Sequence, residues 1–113
     1  MQFDVKKVKI FVTIPTENVS EVRNALGNTK AGIIGNYTHC TYSVKGVGTF
    51  KPNDSANPHI GQANVLEFVE EDKLEIICDV EDVKSVVSVL RSVHPYEEPA
   101  IDIVPLLLEE DFN

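Results

Sequence analysis

Val8, Ile10, Val12 and Ile14 alternate with Lys7, Lys9, Phe11 and Thr13, a period of two that predicts a half-buried strand ended by Pro15. Asn18 stands three residues ahead of Glu21 as a capping pair. Val19, Val22, Ala25 and Leu26 follow at helical spacing up to Gly27. Tyr37 to Lys45, rich in Thr and Tyr, predicts a second strand, and Gly46 and Gly48 predict a tight connection into Thr49-Phe50-Lys51. Pro52 to Asn64 turns to Asn, Asp, Ser, Pro, Gly and His, a loop of about a dozen residues and long enough to carry function. Val65–Val69 and Leu74–Cys78 read as two more strands, with Glu70-Glu71-Asp72-Lys73 between them. Asp79 can cap a second helix whose Val83, Val86, Val87, Leu90 and Val93 form one apolar stripe, stopped by Pro95. Ala100 to Leu106 is the last strand.

Two strand–helix–strand units around a hairpin-like middle predict an α+β fold, the ferredoxin-like split βαβ sandwich with an antiparallel sheet. Each helix has a single apolar stripe, so both must lie on one sheet face. The opposite face keeps Phe11, Ile77, Val104 and one side of the Tyr37–Lys45 strand, too apolar for water, which predicts self-association.

At 113 residues the chain suits one domain, expected over residues 1–108, with Glu109-Glu110-Asp111-Phe112-Asn113 as an acidic, solvated tail. Its formal charge of −8 argues against nucleic acid as a partner. The first 53 residues carry seven basic and three acidic groups and the remainder three and fifteen, a split that folding should interleave. No apolar run approaches the roughly 20 residues that span a bilayer, so no membrane is expected. The start of the chain lacks the order of a secretory signal, and Cys40 and Cys78 make no disulfide framework, so the expected location is cytoplasmic.

Candidate chemistry gathers in a few segments. His94-Pro95-Tyr96-Glu97-Glu98-Pro99 is the densest polar cluster, and its two prolines hold the backbone stiff and extended. It reads either as a binding or metal site or as a helix stop in which His94 caps carbonyls and Tyr96 packs on the sheet. Asn57-Pro58-His59-Ile60-Gly61 sets a His between a rigid and a flexible step, suited to a ligand loop or a plain connection. Gly46-Val47-Gly48 is weak as a phosphate cradle, since no helix follows it. His39 and Cys40, adjacent on a predicted strand, would point to opposite faces.

Gly35-Asn36-Tyr37-Thr38-His39-Cys40-Thr41-Tyr42, Gly46-Val47-Gly48-Thr49-Phe50-Lys51-Pro52, Ala56-Asn57-Pro58-His59-Ile60-Gly61 and His94-Pro95-Tyr96-Glu97-Glu98-Pro99-Ala100 occur in this order. Together they resemble the inserted domain of the Nif-three family, which is similar in fold to CutA and PII signalling proteins. The resemblance implies a CutA/PII-like subunit that assembles as a homo-oligomer, a trimer by analogy. Full-length members of that family carry a two-metal site on a separate domain, whose ligand segments have no counterpart here.

The expected function is therefore a non-catalytic regulatory domain that binds a small molecule or a divalent metal ion such as Zn²⁺. Expected ligand-binding residues are Asn36, Tyr37, Gly46, Gly48, Phe50, Asn57 and Tyr96. Expected metal-binding residues are His39, His59, His94, Glu97 and Glu98. The alternatives are a metal-dependent, cyclohydrolase-like hydrolase using His and Glu residues, or a module that docks on a partner protein.

Overall fold

The computed structural model describes residues 3–113. Strand β1 (Lys7–Pro15) leads into helix α1 (Val19–Gly27), followed by β2 (Thr41–Phe50), β3 (Glu67–Asp79), helix α2 (Val83–Val93) and β4 (Ile101–Leu106). The four strands form one antiparallel sheet in the order β2-β3-β1-β4, the expected ferredoxin-like arrangement. No helix of the described residues is long and apolar enough to cross a membrane.

The period-two reading of β1 holds. Val8, Ile10, Val12 and Ile14 are buried and pair with Cys78, Ile76, Leu74 and Asp72 of β3. Val19, Val22 and Leu26 of α1 and Val86 and Leu90 of α2 close over this face, with Val83, Val87, Val93 and Ile101 packed at the margin. Charges from the two halves of the chain interleave, Lys7 with Asp79 at 2.9 Å and Lys9 with Glu75 at 3.4 Å.

Two expectations need correction. Gly46 and Gly48 make no turn: β2 runs unbroken from Thr41 to Phe50, pairing Gly46 with Glu71 and Gly48 with Val69. Glu70-Glu71-Asp72-Lys73 makes no turn either, because β3 is a single thirteen-residue strand through it. That stretch contains no Gly, Pro or Asn to reverse the chain, and pairing with β2 satisfies its backbone. β1 ends opposite Glu71, so beyond that point β2 and β3 continue alone as a two-stranded arm.

The second strand also begins later than expected, at Thr41. His39 lies in the preceding connection with φ +59°, so the opposite-face argument for His39 and Cys40 does not apply. At the other end, Glu109–Asp111 form a short 3₁₀ turn, and the Phe112 ring packs tilted against Phe3 with centroids 5.6 Å apart.

The helix-free face carries Phe11, Ile77, Tyr42, Val44 and Val104, as the register requires. The Lys73 ammonium lies 4.7 Å from the Phe11 ring centre, whereas Tyr42, Val44 and Val104 stay exposed. On the other face of the arm Val47 and Phe68 are also exposed.

Leu90 is fully buried where α2 meets the sheet. Leu90→Ala is expected to lower the unfolding free energy by about 2–5 kcal/mol in urea denaturation. A loss below about 0.5 kcal/mol would place this side chain outside the core.

Candidate functional site

The His94–Ala100 segment lies against the end of β1, and His94 fixes it there. His94 is 7% exposed. Its Nε2–H donates to the Thr13 carbonyl at 2.8 Å, and its Nδ1 accepts the Tyr96 backbone N–H at 3.1 Å. These partners define the neutral Nε2–H tautomer. Burial lowers the His94 pKa below the usual imidazole value, against the opposing pull of the Thr13 carbonyl and Glu71.

Tyr96 is the hub of the site. Its ring stands 5.0 Å from His94, 5.9 Å edge-on from Phe50 and 6.3 Å from His59, measured between centroids. Its hydroxyl donates to Glu71 Oε2 at 2.8 Å. Burial, and then the Glu71 carboxylate, push the phenol well above its ordinary pKa, so it keeps its proton.

Loop 52–64 forms the other wall. Asn53 folds its start, accepting from Ser55 N–H at 3.0 Å and Ala56 N–H at 3.2 Å, and Asn64 N–H closes it on the Pro52 carbonyl at 2.6 Å. Glu97 Oε1 accepts the Asn57 backbone N–H at 2.8 Å and so ties this loop to the His94–Ala100 segment. Between the two walls lies a cleft of about 300 Å³, lined among others by Thr13, Phe50, His59, Glu71, Tyr96 and Glu98.

The cleft thus unites Phe50, His59, Tyr96, Glu97 and Glu98 from the sequence-based set, with Asn57 at its rim and His94 beneath it. Gly48 contributes by having no side chain, since a β-carbon there would overlap the Glu71 carboxylate. Gly46 has open space around it and lies outside the lining. Asn36 and Tyr37 lie elsewhere, on the exposed turn bridged by Ile34 and Tyr37, and Tyr37 is 74% exposed. Glu71 was missed. The absence of Gly, Pro and Asn around it was the available signal.

Of the expected metal-binding residues His39, His59, His94, Glu97 and Glu98, the fold gathers the last four around Tyr96 and sets His39 apart. His39 sits beside Gly27 and bonds Thr38 Oγ1 at 2.9 Å and Asn28 Oδ1 at 3.3 Å. Both ring nitrogens of His94 are engaged by backbone, so neither offers a lone pair to a metal. Among the described residues, Asp79, Glu81 and Asp82 are the trio of potential ligands whose atoms lie within 4.8 Å of one another. That trio offers oxygen alone, a poor match for zinc. The thiols offer little more. Buried Cys78 has its pKa pushed up to about 11 by burial and by Asp82 and Asp79, which removes it as a nucleophile.

The sheet order and its two one-sided helices define a CutA-like ferredoxin-type domain. CutA1 from Shewanella sp. SIB1 superposes with a TM-score of 0.69 at 17% identity, covering 93% of this chain and 85% of that one. No family model matches the sequence. The chain is, however, 48% identical over 101 residues to a protein of Halalkalibacterium halodurans named GTP cyclohydrolase 1 type 2 homolog. A Bacillus cereus protein related to NIF3 superposes with a TM-score of 0.79 at 39% identity, over 93% of this chain. Over most of its length the chain is similar to one part of these Nif-three-related proteins. It spans 27% of the length of each of these two proteins.

His94 yields a pH prediction. Its folded-state pKa is depressed, so the unfolded chain binds the proton more readily. Stability is therefore full above about pH 6.5 and is lost as pH falls from there through the lower folded-state value. His94→Gln is expected to flatten this acid limb in denaturant titrations at several pH values. An unchanged limb in the variant would assign it to other groups.

Proposed function

We propose that this domain is a small-molecule-binding regulatory module of the CutA/PII kind, non-catalytic in itself and active as a homo-oligomer. The observation that carries the reading is the cleft around Tyr96, a concave, largely apolar site with a few converging polar groups. Three of its acid–base groups are already committed: His94 to two backbone bonds, the Tyr96 proton to Glu71, and Glu97 to the Asn57 N–H. That favours binding over proton transfer, and an organic ligand over a histidine-held metal ion. The uncovered apolar face with Tyr42, Val44 and Val104 supports assembly, and the resemblance to CutA and PII proteins favours a trimer.

A hydrolase remains the competing reading because of the relative's name, which describes a protein more than three times as long. Native mass spectrometry of untagged protein is expected to give a species of three 12.5 kDa subunits, and a lone 12.5 kDa species would reject assembly. In a thermal-shift panel of nucleotides, organic acids and divalent metal chlorides, at least one organic compound should raise the melting temperature. That shift should disappear in Tyr96→Ala. Turnover of GTP by this chain alone, lost in the same variant, would overturn the non-catalytic assignment.

A further inference from the structure

Glu71 is a largely buried residue whose carboxylate opens onto the cleft and takes one hydrogen bond there. It is 7% exposed, and among the described residues its hydrogen bond comes from Tyr96, to Oε2. No Lys, Arg or His nitrogen of those residues lies within 4.0 Å of it. A buried charge without a cation is costly, and folded chains generally pair it, neutralise it or give it to a ligand. Here Gly48 clears space for the carboxylate, and Tyr96 supplies one bond from a phenol that stays protonated.

The same cleft contains a second, independent feature. Phe50 and His59 flank Tyr96, so aromatic rings stand beside the carboxylate. Flat rings favour a flat partner, and more so a cationic one. Glu97 and Glu98 add negative charge at the rim, where Lys51 and His59 are the lining residues that can carry positive charge. About 300 Å³ leaves room for a compound of one or two rings.

We infer that the cleft takes a small planar aromatic ligand bearing an amidine or ring-amino group, whose N–H donors pair with the Glu71 carboxylate while its ring packs against Tyr96 and Phe50. The inference rests on the reading of this cleft as a ligand site and specifies the ligand class. A charge-assisted bond from such a group would give the Glu71 carboxylate a second partner, and the aromatic wall would hold the ring. Carboxylate and phosphate ligands would meet Glu71 with the wrong sign.

The test uses the full chain and three probes of one shape: benzamidine, benzyl alcohol and benzoate. In amide-resolved NMR titrations, benzamidine should shift Thr13, Phe50, His59 and Tyr96 and bind at least about tenfold tighter than benzoate, the margin expected for a charged hydrogen bond. Glu71→Gln should remove that preference while benzyl alcohol binds as before. Benzoate binding as tightly as benzamidine at these residues would overturn the ligand class but leave the cleft as a binding site. Failure of all three probes to shift cleft residues would overturn both. The comparison within the parent protein decides the matter even if Glu71→Gln does not fold. Retention of the benzamidine preference in a folded Glu71→Gln protein would also reject the inference.

Discussion

One imidazole holds the functional end of this fold together. The β1–β4 ladder ends at the Val12–Ile101 pair, and one residue further on the Thr13 carbonyl takes the Nε2–H of His94 instead of a strand partner. The other ring nitrogen turns the chain by accepting from Tyr96 N–H. Removing either bond would strand a buried polar group, a penalty of about 1–3 kcal/mol each. This double tie fixes where Tyr96 enters, and through Tyr96 it fixes Phe50, His59 and Glu71 around the cleft. Both bonds require neutral imidazole with its proton on Nε2, so the site's geometry rests on one protonation state.

The sheet supplies a second constraint. Glu71 and Asp72 are neighbours on β3, so their side chains leave on opposite faces, yet both are buried. Asp72 lies opposite Ile14 on the helix-covered face and accepts from Thr16 Oγ1 at 2.8 Å. Glu71 lies opposite Pro15 on the other face and accepts from Tyr96. These two carboxylates mark the place where a four-stranded sheet narrows to a two-stranded arm. Polar residues are concentrated where the apolar layers run out.

The central elements are legible in the sequence because burial imposes a period. Val8 through Ile14 alternate, and Val83 through Leu90 recur at helical spacing, since each element has one face in the core. β2 and the outer half of β3 are less legible. Val44, Val47 and Phe68 are exposed, so burial imposes no period on them, and Gly46 and Gly48 resemble punctuation. The cleft residues Phe50, His59, Tyr96, Glu97 and Glu98 stand out by composition and by stiff flanking prolines. The bond from Tyr96 to Glu71 joins residues 25 apart, and only the register of β3 brings them together. His39 illustrates the converse: chemical type alone groups it with His59 and His94, whereas the fold sets it beside the end of α1.

Phe3 and Phe112 touch, and Lys7 pairs with Leu106, so the path of the chain into the domain lies beside its path out. Neighbouring strands are separated by about 5 Å. A larger protein carrying this unit within one of its surface loops would need to bridge only that gap. The entropy of closing such a loop would then depend on the short stem and hardly on the residues folded beyond it. The pairing of first and last strands thus makes the domain portable, able to be spliced into another fold with little disturbance to either core.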